Sequence, residues 1–307
     1  MKRWIIKILK LSTYRKYKKE FGKKIAHKYY KYSLLYLLTN KQKYQDLKWI
    51  LSKEYIKTNY KNYLIVEKET APLIDANFKT FFFWYQGINN NTPKPILLCL
   101  ESIKKYAQNV VIIDKNNYKQ YADLPNIIIE KFEKGIIDIT HFSDILRTYL
   151  LAKHGGLWLD STIFLTKPID HLIGYPYWTI RYPGWPNSIF AMAVGKNNPL
   201  FTGLSRFYEK YYSDHNLTID YFLLDQLISL YSESNRIVNN IIVSVPYNND
   251  MVLKIFKKFF YKKYNAYEYD KALINTHIYK ITYKRSKLFR SKPNTLYKFL
   301  LKEYNLK

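Results

Sequence analysis

From about Asn77 the chain sets short apolar runs between amphipathic stretches. Phe78, Phe81, Phe82, Phe83 and Trp84 form one run, closed by Gly87-Ile88-Asn89-Asn90. This predicts a buried strand followed by a loop. A helix is predicted from about Pro95 to Tyr106, with proline near its start. Val110-Val111-Ile112-Ile113 predicts a second buried strand, ending at Asp114. Another helix-like stretch and the apolar run Ile127-Ile128-Ile129 follow. The rhythm is that of an α/β fold with a mostly parallel sheet covered by helices. Ligands of such sheets bind beyond the carboxyl ends of strands, which draws attention to Gln86-Gly87, Asp114 and Asp160. Residues 1–70 read differently, as a helical, basic and aromatic extension ahead of a 71–307 α/β domain. No internal repeat and no low-complexity linker interrupts the chain.

The 307 residues suffice for a sizeable core, and a hydrophobic content of 48% argues against disorder. Fifty basic against 24 acidic side chains give a formal charge of +26. Part of this can reflect a coding bias toward Lys, Asn, Ile and the 32 tyrosines, but the remainder favours an anionic partner. A nucleotide diphosphate, an acidic membrane and nucleic acid all qualify. The single cysteine, Cys99, lies in an apolar helix stretch; it excludes a disulfide framework or a cysteine-rich zinc site and fits a reducing cytoplasm. No apolar run reaches the roughly 18 residues of a membrane span, and a secretory signal is not expected. Trp4, Ile5, Ile8 and Leu9 share one side of a helix among Lys2, Arg3, Lys7 and Lys10, with Arg15, Lys16, Lys18, Lys19, Lys23 and Lys24 following. Such a helix either lies on anionic lipid or packs one face on the protein.

The most informative segment is His141-Phe-Ser-Asp-Ile-Leu-Arg-Thr-Tyr-Leu-Leu-Ala-Lys-His-Gly-Gly-Leu-Trp-Leu-Asp-Ser-Thr162. Phe142, Ile145, Leu146, Tyr149 and Leu150 repeat as a buried helix face. Asp144 and Arg147 are neighbours on that helix, and Gly155 is placed to end it in a left-handed conformation. Leu157-Trp158-Leu159 then forms a short strand delivering Asp160 to its end. A nucleotide diphosphate gains negative charge as a sugar leaves it, and a carboxylate-held divalent cation can neutralise that charge. Arg147 suits a phosphate or sugar oxygen as a forked donor, and Asp144 suits sugar or ribose hydroxyls. The plainer alternative is a structural Asp144–Arg147 ion pair.

Ser143-Asp144-Ile145-Leu146-Arg147 with Gly155-Gly156-Leu157-Trp158-Leu159-Asp160 resembles the signature of glycosyltransferases with a D-x-D sugar-binding motif. This broad group includes initiating mannosyltransferases of the yeast type and the large clostridial glucosylating toxins. The version Gly-Gly-x-Trp-x-Asp-x-Thr, preceded by Phe142-Ser143-Asp144, is most similar to the capsular polysaccharide synthesis family. Trp84-Tyr85-Gln86-Gly87 and Ile219-Asp220-Tyr221-Phe222 also resemble segments of that family, so the likeness runs in order from about residue 78 to about 285. It implies a GT-A fold, a nucleotide-sugar donor, Mn²⁺ or Mg²⁺, and retention of anomeric configuration. By motif matching, Trp84, Gln86, Gly87, Ser143, Asp144, Arg147, Gly156, Asp160 and Thr162 would meet the donor, with Trp84 near the base. Trp84 and Trp158 fit a plain core equally well. Thr162 stands where the motif has its second Asp, and a threonine hydroxyl is a poor metal ligand. A metal would then rest on Asp160 and Thr162, with His277 as a candidate helper or as an ordinary structural histidine.

Asp220, Tyr221, Asp225 and Gln226 lie in a stretch that reads as a helix with Thr218 near its cap and Asp220 in its first turn. Asp220, Asp225 and Gln226 are candidates for the reaction, binding donor or acceptor hydroxyls. Arg181, Trp185 and Tyr221 are candidates for the acceptor. The expected partners are a nucleotide-sugar donor and a surface polysaccharide or lipid-linked glycan. The alternatives are a basic nucleic-acid-binding protein, whose interleaved Lys and Tyr would contact phosphates and bases, and a non-catalytic membrane scaffold. No Walker loop, Gly-x-Ser-x-Gly or His-Glu-x-x-His is present.

Overall fold

A computed structural model describes residues 11–182, 187–253, 260–274, 276–284 and 292–306. In chain order the main elements are α1 (Leu11–Thr39), α2 (Lys43–Asn59), β1 (Thr80–Phe83), α3 (Lys94–Tyr106), β2 (Val110–Ile113), α4 (Asn126–Glu133), α5 (Ile139–His154), β3 (Gly156–Asp160), β4 (Ile163–Leu165), β5 (Tyr177–Thr179), β6 (Ala191–Val194), α6 (Pro199–Asp214), α7 (Leu223–Ser234), α8 (Arg236–Val243), α9 (Ala266–Ala272), β7 (Ile278–Lys280) and α10 (Leu296–Glu303). Ile127–Ile129 falls inside α4.

The chain divides into two compact units. One gathers the residues up to Glu69 with Leu124–Thr148 and Pro199–Asn239. Its first segment ends where the composition changes. The other gathers Thr70–Asp123, Tyr149–Asn198 and the residues from Asn240 onward.

The second unit holds a five-stranded sheet in the order β2-β1-β3-β6-β5. β1 pairs in parallel with both β2 and β3, while β6 is antiparallel to β3 and to β5. Four strands therefore share one direction. Phe81, Phe82, Leu157, Leu159 and Ala191–Val194 are fully buried. Burial on both faces is why these strands read as continuous apolar runs rather than alternating ones. β4 and β7 form a separate antiparallel pair. Behind it Leu98 and Cys99 of α3, Phe164, Tyr279 and Leu300 make a second core. Cys99 is a packing residue whose thiol burial pushes to higher pKa. The buried Ser102 hydroxyl of α3 accepts the Leu165 amide at 3.0 Å, satisfying the edge of β4.

The first unit is helical, and its tyrosines form much of its interior. Tyr17, Tyr60, Tyr208, Tyr211, Tyr212 and Tyr231 are buried. Their hydroxyls find partners: Tyr17 donates to Ile219 O, Tyr60 to Asp214 at 2.9 Å, Tyr211 to Leu217 O at 2.8 Å and Tyr231 to Tyr63 O at 2.5 Å. A buried tyrosine supplies apolar area and needs its hydroxyl satisfied. α1 is kinked at Gly22, where φ is 82°. It buries Tyr17, Phe21 and Ala26 and exposes Arg15, Lys16, Lys18, Lys19, Lys23 and Lys24. Trp4, Ile5, Ile8 and Leu9 lie outside the described residues. No described helix is long and apolar enough to cross a membrane.

Candidate active site

Helix α5 and strand β3 carry the central motif, joined by Gly155 and Gly156. Gly155 has φ of 65°, and its amide bonds back to Leu151 O at 3.0 Å, the left-handed helix end expected from the sequence. Gly156, at φ 91°, opens β3 against the backbone of Lys79; a Cβ there would sit 2.4 Å from Lys79 O. Asp160 is at the other end of β3, roughly 13 Å away at about 3.3 Å per residue. Gly156 therefore has a packing reason to be glycine, and lies at the strand end opposite to where ligands bind.

At that ligand end the three parallel strands finish level. Phe83 stands opposite both Ile113 and Asp160. Asp160 thus ends β3 level with Phe83 and Ile113, and Trp84 and Asp114 follow one residue further on at the same carboxyl-terminal edge of the sheet. The Trp84 amide bonds to Ile113 O at 3.0 Å and the Lys115 amide to Tyr85 O at 3.0 Å, holding the β1 and β2 ends together. Trp84 is half-buried and meets the Tyr283 ring edge-on, with centroids 5.4 Å apart. Gln86 is exposed. Gly87 faces Asp114, whose Oδ2 would lie 3.1 Å from a Cβ at that position. Trp158 is core, yet its indole N–H donates to Asp160 Oδ1 at 2.9 Å and so aims the carboxylate.

The other Asp160 oxygen has a partner that sequence reasoning missed. Lys280 Nζ donates to Asp160 Oδ2 at 2.5 Å. Strand β7 runs against β4 with Lys280 opposite Ile163, three residues beyond Asp160. The same ammonium lies 4.9 Å from the centre of the Phe190 ring, and Phe190 O accepts the Asp160 amide. Thr162 is opposite Ile281, whose amide bonds to its carbonyl at 2.9 Å.

His277 is not brought to this carboxylate. It stands opposite Thr166, at the far end of the β4–β7 ladder and roughly 13 Å from the Thr162 end. Its ring is pushed toward the neutral form by burial and by Lys167. Among the described residues no group of three or more His, Cys, Asp or Glu can hold a metal ion. At Asp160 the donor set does not suit Mn²⁺ or Mg²⁺: both oxygens already accept hydrogen bonds, one from an ammonium whose charge opposes a second cation.

The helical unit holds the remaining motif residues. Arg147 Nη2 lies 2.9 Å from Asp144 Oδ1, with both side chains more than nine-tenths buried. Ser143 steers the guanidinium: its carbonyl accepts Nε at 3.3 Å and its Oγ accepts Nη2 at 3.1 Å. Asp225 joins them from α7. Burial, and then the Asp144 charge, push its carboxyl up to about 7, against the opposing pull of Arg147. Its Oδ2 is buried without a hydrogen-bond partner. Tyr208 of α6 feels the same charges, its phenol raised by burial and by Asp144. His141 stands at the start of α5, where Asp138 accepts the Thr140 and His141 amides and the His141 ring at 3.0 Å. His141 Nε2 is buried without a partner. Tyr221, 60% exposed, meets the His141 ring edge-on.

Two expectations here change. Asp220 is not in a helix: α7 begins at Leu223, and Asp220 accepts the Phe222 amide at 3.0 Å and the Tyr29 hydroxyl at 3.1 Å. Thr218 bonds the Tyr212 hydroxyl instead of capping a helix. Gln226 is fully buried, and its amide donates to Ser52 Oγ at 2.7 Å, tying α7 to α2. Those contacts give both residues structural work. Arg181 likewise spends Nη1 on Val243 O and Val245 O at 3.0 and 2.8 Å and lies over the Tyr247 ring. Trp185 lies outside the described residues. A cavity of about 650 Å³ is lined by Tyr261, Lys262, Lys263, Lys292, Pro293, Asn294 and Thr295, none of them a motif residue.

No curated protein matches the chain. It is similar to a solved structure named "PaToxG Glycosyltransferase", with 19% identity, coverage of 74% of this chain and 94% of that one, and a TM-score of 0.39. A family described as capsular polysaccharide synthesis protein matches residues 27–300. With that match spanning most of its length, and with Asp144, Arg147 and Asp160 inside it, the chain belongs to the capsular polysaccharide synthesis protein family.

Proposed function

We propose that this protein is a glycosyltransferase of the GT-A type. It moves a hexose from a nucleotide-diphosphate donor, foremost a UDP-sugar, to a surface polysaccharide or lipid-linked acceptor, with anomeric configuration retained. The observation that carries this reading is the level finish of β1, β2 and β3, which brings Asp160, and one residue further on Trp84 and Asp114, to the carboxyl-terminal edge of the sheet. That edge offers an aromatic face for a base and fixed carboxylates for ribose hydroxyls. The helical unit offers a different chemistry. Asp144 and Arg147 pair there in the interior, with Asp225 beside them pushed toward its neutral form by burial and by the Asp144 charge.

The exposed basic face of α1 suits an anionic membrane surface, where a lipid-linked acceptor would be met. The nucleic-acid reading loses much of its support, because Tyr17, Tyr60 and their neighbours spend their rings in the core.

A thermal-shift screen of nucleoside diphosphates and nucleotide sugars tests the reading. A ligand that binds the folded state raises the melting temperature. The expected result is stabilisation by one nucleotide and its sugar conjugate, and no shift with any of them overturns the assignment.

A further inference from the structure

The geometry points to Lys280 as a built-in counter-cation for the donor diphosphate, standing where a divalent metal would otherwise act. The inference rests on the transferase reading and deepens it. Four observations converge. Thr162 replaces a carboxylate in the motif. No described cluster of three or more acidic, His or Cys side chains can hold a metal ion. Asp160 has both oxygens engaged, Oδ1 by the Trp158 indole and Oδ2 by Lys280. His277, the one further ligand the sequence suggested, stands at the wrong end of the β4–β7 ladder.

Lys280 is fixed as a functional group has to be. Its backbone is clamped in β7 opposite Ile163, and its amide donates to Val252 O at 2.9 Å. Its ammonium is held by Asp160 on one side and the Phe190 ring on another. An ammonium has three donors, and Asp160 Oδ2 takes one. The pair is a quarter exposed on each side, so it is reachable from solvent while partly desolvated. In that setting a fixed positive charge acts strongly on an anion, and Asp160 keeps it aimed.

In the reaction, the bond from the anomeric carbon to the β-phosphate oxygen breaks and its electron pair stays on that oxygen. The acceptor hydroxyl oxygen forms the new bond to the anomeric carbon. Its proton passes to the departing diphosphate, the base the reaction itself generates. Lys280 keeps its protons throughout and lowers the energy of the developing charge by hydrogen bonding to it.

The test is calorimetric titration of the full chain with UDP, GDP, CDP and ADP, each in EDTA and in Mn²⁺. One diphosphate is expected to bind in EDTA, with Mn²⁺ changing its affinity little. Lys280→Ala should weaken that binding about tenfold or more, the scale of a lost charge-assisted hydrogen bond. Lys280→Arg, which keeps the cation, should restore most of it, and its melting curve shows that the fold survives a change at this position. Binding that appears only with Mn²⁺, or a Lys280→Ala variant that binds like the parent, overturns the role of Lys280 and leaves the transferase reading standing. Failure of all four to bind in either condition removes both.

Discussion

Asp160 and Lys280 lie 120 positions apart in the chain and meet at 2.5 Å, the motif carboxylate on β3 and the ammonium on β7. The pair is partly exposed, so its contribution to stability is modest, about 1 kcal/mol. Its contribution to turnover is expected to be far larger. Asp160→Asn should leave urea unfolding nearly unchanged while lowering sugar transfer about a hundredfold or more, because an amide neither holds the ammonium nor accepts hydroxyls with charge. Full turnover in this variant would remove Asp160 from the chemistry.

Asp144 and Arg147 behave in the opposite way. Their pair is buried, and removing one member strands the other's charge in the interior. Arg147→Ala should therefore cost about 3–5 kcal/mol of stability, read from chemical unfolding. The double variant Asp144→Asn with Arg147→Met should recover much of that loss but no transfer activity. Recovery of both would show that the pair serves the fold alone.

The α5–β3 motif was legible because its logic is local. A three-residue spacing makes Asp144 and Arg147 neighbours, and a helix that must stop in a left-handed turn needs Gly155. The apolar run at Phe81–Phe83 was legible as a strand because both its faces are buried, and Val110–Ile113, an edge strand buried only at Ile113, was legible as a short β-branched run. Lys280 was not legible. Its place depends on β7 pairing with β4, and one sequence carries no signal for pairing between such distant segments. Asp220 was misplaced for a different reason. An aspartate just ahead of a helix and one in its first turn look alike in sequence, but here the side chain bonds the amide two residues on and holds the chain out of the helix. The tyrosines were read as composition, or as stacking surface, because nothing in the sequence tells which hydroxyls will find a buried partner.

Asp225 makes stability depend on pH. Its carboxyl titrates at about 7 in the fold against an ordinary value of 3.8. Below the ordinary value both states hold the proton and nothing is lost. Between the two values the unfolded chain releases the proton and the fold keeps it, so this stabilisation falls as pH rises and is gone above about 7. Asp225→Asn removes the effect. The variant should gain about 2–3 kcal/mol more over the parent at pH 8 than at pH 5, measured by unfolding at both. An equal difference at the two pH values would mean that the carboxyl is not held in its neutral form.

Gly156 separates a packing role from a binding one. Its φ of 91° is a conformation that side chains rarely adopt, and a methyl there would press on Lys79 O at 2.4 Å, a backbone atom that β1 fixes in place. Gly156→Ala should therefore push β1 and β3 apart at the end away from Asp160. The expected cost is about 3 kcal/mol or more in unfolding free energy. The folded fraction of the variant should still bind donor with near-parental affinity, because the Trp84, Asp114 and Asp160 edge is built at the other end of the same strands. If the variant is as stable as the parent and donor affinity falls instead, the glycine serves the ligand, and the donor reaches further along β3 than the strand ends.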